Sequence, residues 1–408
     1  MFGNSVPEEA AGRWRMLGLL AVSELLGMSL WFVGNAISPA LRERWALSPA
    51  EVGWLTTSVQ LGFVAGTAAA AMLNLADVFP SRWYFAASAL LAAIANTLFG
   101  HATDFSIALG WRFATGVCLA GVYPPAMKMA ATWFRHGRGL AIGTIVAALT
   151  VGKATPYLLH ALPEATPGTI VLLASGAAAL SAVLVAAGYR EGPWPFTRRP
   201  FSWTLVGSVV RHRETRLATA GYLGHMWELY AMWTWVPAYL AASAAASNSA
   251  APSWLLDLSG FAVIAVGGIG CLWGGWAAGR IGYRAVVTRA MLMSGLCSLA
   301  AGPAFRAPFV LVFVLALIWG FFVVADSAQF SALVTEVAPA HAVGTALTLQ
   351  TSLGFLLTIV TIQLVPALVG IAGWRWSVGV LALGPAAGIA AIRRLGPVTS
   401  VATPERPR

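Results

Sequence analysis

The chain has 408 residues, of which 58% are apolar and only 10% carry a formal charge. A soluble protein is about 25% charged and about 45–50% apolar, so this composition excludes a soluble enzyme, a disordered chain and a nucleic-acid-binding domain. Basic residues exceed acidic residues by ten, and this excess must be explained by a membrane environment.

Apolar runs long enough to cross a membrane recur along the whole chain. A membrane-spanning helix needs about 20 apolar residues. The first run follows a short stretch that contains Glu8 and Glu9 and has no small-residue cleavage site, so we expect a retained helix and not a signal peptide. We predict twelve helical segments, numbered 1 to 12 in chain order, at residues 15–39, 51–74, 83–101, 104–131, 138–162, 168–188, 216–241, 257–279, 285–304, 308–334, 342–370 and 373–393.

One long polar connection, residues 189–215, divides the segments into six and six. The predicted domains are an N-terminal six-helix bundle over residues 1–188, a basic cytoplasmic linker over 189–215 and a C-terminal six-helix bundle over 216–408.

The distribution of arginine predicts the orientation. Eighteen arginines fall on the side of the two termini and the linker, and four fall on the other side. Short cytoplasmic loops are enriched in basic residues, so we expect a multi-pass protein of the cell (inner) membrane with both termini in the cytoplasm. The positive charge then needs no nucleic acid as partner, although anionic lipids around the linker can contribute.

The sequence contains an internal repeat. Glu24-Leu-Leu-Gly-Met28-Ser-Leu-Trp31 in segment 1 matches Glu228-Leu-Tyr-Ala-Met232-Trp-Thr-Trp235 in segment 7 at four of eight positions, with an offset of 204 residues. Two shorter similarities, between 75–82 and 277–284 and between 138–144 and 341–347, have offsets close to this value. We therefore predict two homologous halves with a substrate site near the midplane between them.

Two local motifs add to this pattern. The loop after segment 2 reads Asn74-Leu-Ala-Asp77-Val-Phe-Pro80-Ser-Arg82, and Arg112 precedes Gly116 by four residues in segment 4. With twelve segments in two sets of six, the chain resembles the major facilitator superfamily. The resemblance implies an all-α membrane protein with two pseudo-symmetric six-helix bundles and alternating access. The stretch WFRHGRGLAIG at 133–143 is similar to the nitrate/nitrite and organic-anion porter branches, but segments 2 and 8 lack that branch's arginine.

The resemblance also implies that the loop after segment 2 is part of a gate. A carboxylate at a helix end can pair with arginine in one conformation and release it in the other. Asn74 and Pro80 replace the family's usual glycines, and Gly279 replaces the acid in the corresponding loop of the second half. A static ion pair is the alternative. The candidate gating residues are Asp77, Arg82, Arg280, Arg284, Lys128 and Asp326, of which Asp326 is an expected partner of Lys128.

Charged residues inside the membrane are costly and mark functional sites. Glu24 lies near the middle of segment 1, the repeat places Glu228 at the same depth in segment 7, and His225 precedes Glu228 by three residues on the same helix face. We expect Glu24, Glu228 and His225 to couple transport to protons, or else to be structural buried groups.

Basic and aromatic residues within the membrane segments are candidates for substrate binding. Lys128 and Lys153 are the only lysines of the chain, and a buried cation such as Lys153 or Arg112 favours an anionic substrate. Several tryptophans could line a cavity, and we select those on the glutamate faces. The predicted substrate-binding residues are Arg112, Lys153, Trp31, Trp235, Met28 and Met232.

The sequence thus predicts a proton-coupled secondary transporter for a small organic or inorganic anion. A proton-coupled drug or metabolite exporter of the same superfamily and a transporter-like membrane sensor are the alternatives. We expect no enzymatic activity and no cofactor, because the chain has no phosphate-binding loop. We expect no metal, because Cys118, Cys271 and Cys297 lie in apolar runs without metal-ligand spacing. The expected partners are a small-molecule substrate, protons and membrane lipids.

Overall fold

A computed structural model of the protein describes residues 10–134, 137–194, 202–249 and 251–396, without the side chains of Ala76, Asp77 and Arg138. Every predicted segment is helical, and the described residues contain no strand. Helix starts follow local capping signals. Ser48 and Glu51 form a capping box before segment 2, Asp104 caps segment 4, and Thr166 caps segment 6.

The helices of the first half lie close to the predicted boundaries. Segment 1 comprises Arg13–Met28, Val33–Ala36 and Ser38–Trp45; segment 2, Pro49–Met72; segment 3, Ser81–Gly100; segment 4, Phe105–Leu119 and Tyr123–Ala131; segment 5, Arg138–His160; and segment 6, Pro167–Gly188. A short helix, Leu75–Val78, lies between segments 2 and 3.

The second half begins after a linker helix, Trp203–Arg211. Segment 7 comprises Arg213–Ala246; segment 8, Ser253–Ile281; segment 9, Tyr283–Ala304; segment 10, Phe309–Ala325 and Ser327–Val337; segment 11, Val343–Ala372; and segment 12, Trp374–Ser377, a 3₁₀ turn at Val378–Ala382, and Leu383–Arg393.

Within the described ranges, ten segments are long and apolar enough to cross a membrane, and segments 1 and 7 are the exceptions. Segment 1 is interrupted after Met28, so its longest helix has only 16 residues. Segment 7 is a continuous helix of 34 residues, but His225, Glu228 and several tyrosines and tryptophans lower its hydropathy. The two segments that are not long and apolar enough are therefore the two that carry the repeated glutamate.

Helix packing repeats between the halves. Segment 1 packs on segments 5 and 6, as segment 7 packs on 11 and 12. Segment 2 packs on segment 4, as 8 packs on 10, and segment 3 packs on 4 and 6, as 9 packs on 10 and 12. The halves meet where segment 2 packs on 11 and segment 5 on 8. This arrangement agrees with the repeat seen in the sequence. The domain boundaries at residues 188 and 215 stay a prediction.

Small residues bring the helix backbones together. A Cβ atom on Gly116 of segment 4 would overlap the carbonyl of Val59 in segment 2. In the second half, a Cβ atom on Gly320 of segment 10 would overlap the carbonyl of Val263 in segment 8. Close approach through small residues is typical of helix packing in membranes, where burial of apolar surface gives little drive for association.

The two ends of the bundle carry exposed tryptophans beside arginines. We call the end with the linker helix the linker end and the opposite end the far end. Arg82 lies over Trp83 at 4.7 Å and Arg280 over Trp276 at 3.7 Å at the linker end, and Arg375 lies over Trp376 at 5.1 Å at the far end. Such residues are typical of the membrane–water interface.

The glycine packing yields a stability prediction. Gly116→Leu should lower the free energy of unfolding by about 1–3 kcal/mol or more, because the new side chain has no space against segment 2. Gly110→Leu in the same helix is the matched control, since a Cβ atom there meets nothing within 4 Å. Thermal unfolding of the purified protein in detergent measures both. Equal midpoints would contradict this packing.

Candidate functional site

A cavity of about 220 Å³ lies between the two halves. Six segments contribute to it, three from each half, and its walls are mainly aromatic and aliphatic. Its lining residues are Phe63, Thr67, Tyr123, Pro124, Met127, Val146, Leu149, Tyr222, Met226, Leu229, Tyr230, Trp233, Val324, Ser327, Ser331, Leu347, Thr348, Thr351 and Phe355.

The cavity reaches toward the linker end. Met127, Ser331 and Thr348, which lie nearest that end on segments 4, 10 and 11, are half-buried. Phe63 and Trp233, which lie deeper, are each only 1% exposed. Exposure of the lining therefore falls from the linker end toward the middle of the bundle.

Polar contacts between the halves close the far end. The hydroxyl of Thr358 in segment 11 donates to the amide oxygen of Gln60 in segment 2. The amide of Gln363 lies 3.2 Å from the hydroxyl of Thr57, again between segments 11 and 2. His160 Nδ1 in segment 5 lies 2.8 Å from Asp257 Oδ2 in segment 8. The structure is thus open at one end and closed at the other.

An aromatic cluster forms the deep end of the cavity. The ring centroids of Phe63 and Phe355, from different halves, are 4.7 Å apart, and those of Phe355 and Tyr230 are 5.2 Å apart. Trp233 lies edge-on to Tyr230 at 5.4 Å, and Trp31 lies 5.3 Å from Phe63. Offset and edge-on contacts of this kind are favourable for aromatic rings. We call these five residues the aromatic cluster.

Lys153 of segment 5 lies directly behind the aromatic cluster. Its Nζ is 3.8 Å from the ring centre of Trp31 and 4.6 Å from that of Tyr230, and it donates a hydrogen bond to the Tyr230 hydroxyl. The side chain is 1% exposed. The ammonium group of lysine has three protons to donate, and the aromatic faces stabilise its charge by cation–π attraction.

A second buried ionisable group, Glu24 of segment 1, interacts with Lys153. Its side chain is fully buried, and among the described residues neither carboxylate oxygen has a hydrogen-bond partner. The carboxylate and Lys153 attract each other electrostatically. A Cβ atom on Gly152 would overlap the carbonyl of Leu25, so the backbones of segments 1 and 5 touch at the level of this pair.

Arg112 lies outside the cavity lining. Its Nη1 donates to the carbonyl of Leu30 at 2.9 Å, and its Nη2 donates to the carbonyl of Trp31. These carbonyls belong to the interruption of segment 1, where regular helical hydrogen bonds stop. Weaker contacts reach Asn96 Oδ1 and the carbonyl of Leu55, both at 3.4 Å. We expected Arg112 to bind the substrate, but its guanidinium group instead binds the backbone where segment 1 is interrupted.

Glu228, Met232 and Trp235, the members of the repeated motif in segment 7, also lie outside the cavity lining. Glu228 accepts hydrogen bonds from Ser294 Oγ at 2.7 Å and Trp319 Nε1 at 2.8 Å. Trp235 Nε1 donates to the carbonyl of Ile362 at 2.9 Å, and Met232 lines a separate small void inside the second half. In segment 1, Trp31 joins the aromatic cluster and Met28 is fully buried. The two repeated motifs therefore have different surroundings.

His225 joins Asp326 and Ser327, which lie where segment 10 is interrupted. Its Nδ1 is 2.8 Å from Asp326 Oδ1, and its Nε2 is 2.8 Å from Ser327 Oγ. Asp326, for which we expected Lys128 as partner, has His225 instead. Ser327 lines the cavity, so this buried pair reaches the cavity through one hydroxyl.

The other predicted gating residues lie near the linker end. The side chain of Asp77 lies outside the described residues. Lys128 is half-buried in the last turn of segment 4. Arg82 and Arg280 lie over the tryptophans described above. Arg284 donates to the carbonyls of Ile392, Leu395 and Gly396 and thereby holds the end of segment 12.

Sequence reasoning missed four members of the aromatic cluster. We selected the tryptophans on the faces of Glu24 and Glu228, which identified Trp31 but left out Phe63, Tyr230, Trp233 and Phe355. Tyr230 and Trp233 are spaced three residues apart on segment 7, a spacing that places them on one helix face. The spacing of these two aromatic residues is the sequence signal that could have identified them as members of the cluster.

Comparison with known proteins gives a family match and several similar transporters. The family model of the Major Facilitator Superfamily matches residues 19–361. The niacin transporter NiaP of Acinetobacter baylyi (strain ATCC 33305 / BD413 / ADP1) is 32% identical over 133 residues, which cover 30% of this chain and only 29% of that protein. A bacterial homolog of the human lysosomal transporter Spinster, inward-facing and unoccupied, superimposes with a TM-score of 0.70 at 16% identity over 96% of this chain and 98% of that chain.

The nucleoside transporter NupG has the same fold. It superimposes with a TM-score of 0.70 at 15% identity over 93% of this chain and 99% of that chain. At these identities the two structures share the fold with this chain.

The contacts of Arg112 predict a structural role. Arg112→Met should lower the free energy of unfolding by about 2–5 kcal/mol, because the carbonyls of Leu30 and Trp31 lose buried partners. Arg82→Met, at the bundle end, should lower the midpoint of thermal unfolding much less. If Arg112→Met unfolds at the wild-type temperature, the helix break does not depend on this guanidinium group.

Proposed function

The chain belongs to the major facilitator superfamily, and from that premise we propose that it is a proton-coupled secondary transporter that moves a small organic anion by alternating access. We place it in the cell (inner) membrane with both termini in the cytoplasm, as the arginine distribution predicts. The family and its fold make it a multi-pass membrane protein of a transporter family.

One observation carries the proposal. Glu24 and Lys153 are both buried behind the deep end of a cavity between the halves. Among the described residues, the Glu24 carboxylate has no hydrogen-bond partner and the Lys153 ammonium has one, the Tyr230 hydroxyl. A charge in low-dielectric surroundings is costly unless it is compensated. Each group therefore depends on the other or on something that arrives through the cavity.

This mutual dependence supports a mechanism in which Lys153 exchanges Glu24 for the substrate anion as its compensating charge. A substrate anion near Lys153 can replace Glu24 as the compensating charge. Glu24 then becomes an isolated buried carboxylate, which is stabilised by taking up a proton. Anion and proton would bind together and be released together, as in symport. Glu24 is thus the first candidate for the coupling proton.

His225 and Glu228 are weaker candidates. His225 reaches the cavity through Ser327 and can act as a second protonation site. Glu228 accepts two hydrogen bonds inside the second half, and these donors favour a fixed, structural carboxylate. We therefore rank Glu24 above His225 and His225 above Glu228.

The niacin transporter supports an organic anion over an inorganic one. Niacin is a ring with one carboxyl group, and the relative that bears this name matches 30% of the present chain. Arg112 lies away from the cavity, whereas Lys153 donates a hydrogen bond to the lining residue Tyr230.

Alternating access requires the far-end contacts to separate. With the linker end in the cytoplasm, the present state is inward-facing. An outward-facing state would break the contacts of Thr57 with Gln363 and of Gln60 with Thr358. We propose that Asp77, Arg82, Lys128 and Arg280 then take part in closing the linker end.

A second candidate function is export of an amphipathic drug or metabolite. The lining residues include no charged side chain, which favours an uncharged or amphipathic cargo. The two functions differ in the direction of net movement under the same proton gradient, so one reconstituted system tests both.

The coupling role of Glu24 is tested in proteoliposomes with an imposed proton gradient. Glu24→Gln should reduce gradient-driven accumulation of a labelled organic acid at least tenfold and leave exchange of internal for external acid largely intact, because the variant cannot gain or lose the proton. Glu228→Gln, at the equivalent position, should keep the gradient dependence. Normal accumulation by Glu24→Gln would remove it from coupling, and accumulation of cations without anions would contradict the main proposal.

If Glu24 and Lys153 compensate each other, a double-mutant cycle of their stabilities should show coupling. Lys153→Met alone should lower the midpoint of thermal unfolding, since Glu24 loses its compensating charge. The double variant Glu24→Gln, Lys153→Met should be more stable than the sum of the single effects, by a coupling of about 0.5–3 kcal/mol. Additive effects would show that the two charges do not compensate each other.

A further inference from the structure

The cavity has an uneven distribution of polar groups that indicates what it can bind. We propose that the substrate is a monocarboxylate with a planar ring, that its carboxylate accepts a hydrogen bond from the Tyr230 hydroxyl, and that its ring packs among Phe63, Trp233 and Phe355. This inference rests on the proposed transport of an organic anion. It adds the class of substrate and identifies Tyr230 as the residue that binds the carboxylate.

Tyr230 is the link between the cavity and the buried charge. It lines the cavity, whereas Lys153 does not. Because Lys153 donates to the Tyr230 oxygen, the hydroxyl proton of Tyr230 remains free to donate to another acceptor. A hydroxyl that accepts from an ammonium group is polarised and becomes a stronger donor. Tyr230 can therefore present the positive charge of Lys153 to a carboxylate.

The remaining surfaces at the deep end suit a ring. Phe63 and Phe355 come from opposite halves, and Trp233 closes the third side, edge-on to Tyr230. Flat aromatic faces favour planar, polarisable partners by stacked and edge-on contacts. The volume of about 220 Å³ is below the range of about 300–1,000 Å³ usual for drug-sized ligands, which favours a substrate with one small ring.

The lining also disfavours other classes of substrate. Its polar side-chain groups apart from the tyrosines are the indole N–H of Trp233 and hydroxyls of serine and threonine, of which Ser331, Thr348 and Thr351 lie on the half-buried side toward the linker end. A sugar would bury many hydroxyls against aromatic carbons without partners, at a cost for each one. A dicarboxylate would bring a second negative charge into a lining that has no basic side chain.

The experiment measures binding to the purified full-length protein with four probes: benzoate, benzamide, cyclohexanecarboxylate and phthalate. Benzoate should bind at least tenfold more tightly than benzamide, which has the same shape without the charge, and at least tenfold more tightly than the dicarboxylate phthalate. It should also bind more tightly than cyclohexanecarboxylate, which has the charge without a planar ring. Calorimetry and thermal stabilisation provide independent readouts.

Variants separate the two parts of the site. Tyr230→Phe should weaken benzoate binding about tenfold or more and benzamide binding much less, because a neutral amide oxygen accepts a weaker hydrogen bond than a carboxylate, so that most of the preference for the acid is lost. Tyr222→Phe, which also lines the cavity but has no hydrogen bond to Lys153 in the described residues, is the matched control and should keep that preference. Phe355→Leu should reduce the preference for benzoate over cyclohexanecarboxylate. Thermal unfolding without ligand verifies that each variant folds.

Equal binding of benzoate and benzamide, or an unchanged acid preference in Tyr230→Phe, would overturn the inference. Uptake under a proton gradient distinguishes this failure from failure of the proposed function. If proteoliposomes accumulate lactate but not benzoate, the ring is not required and the transport function stands. If neither acid accumulates under the gradient, the transport of organic anions itself is wrong.

Discussion

The ammonium group of Lys153 imposes the constraint on which the site depends. It lies in the middle of an apolar protein, behind five aromatic rings, with one hydroxyl as hydrogen-bond acceptor and one carboxylate as compensating charge. In water such a charge is fully solvated, and here the surroundings must replace that solvation. The rings of Trp31 and Tyr230, the buried carboxylate of Glu24 and the contact of Gly152 with segment 1 all contribute to this replacement. An anion that enters the cavity competes for the same charge.

The internal repeat shows how similar helices acquire different roles. Segments 1 and 7 carry the same glutamate, methionine and tryptophan, and their helices have equivalent neighbours. Segment 7 is continuous, and its glutamate binds Ser294 and Trp319 within its own half. Segment 1 is interrupted after Met28, which turns Trp31 toward the other half, and its glutamate lacks such donors. Two equivalent helices thus hold one carboxylate that accepts two hydrogen bonds and one that has no hydrogen-bond partner among the described residues.

The sequence predicted the helices well because a membrane imposes a simple rule on length and composition. Segment 9, for example, was expected at 285–304 and is observed at Tyr283–Ala304. The predicted all-α fold with two related halves is confirmed by the family match and the fold comparisons. The interruptions of segments 1, 4 and 10 were not predicted, and the one in segment 1 depends on a tertiary partner, the guanidinium group of Arg112. For the same reason the sequence indicated Lys153 and Glu24 as buried charges but could not show which aromatic residues surround them.

The contacts that close the far end between segments 2 and 11 consist of amide and hydroxyl groups. Gln60, Thr358, Thr57 and Gln363 are all neutral, so their separation moves no formal charge through the membrane. The electrical potential acts on displaced charge at about 2.3 kcal/mol per elementary charge per 100 mV, and it exerts no such force on these four side chains. Separation of these four side chains is therefore insensitive to membrane voltage, in contrast to separation of the far-end contact between His160 and Asp257, which contains an ionisable pair.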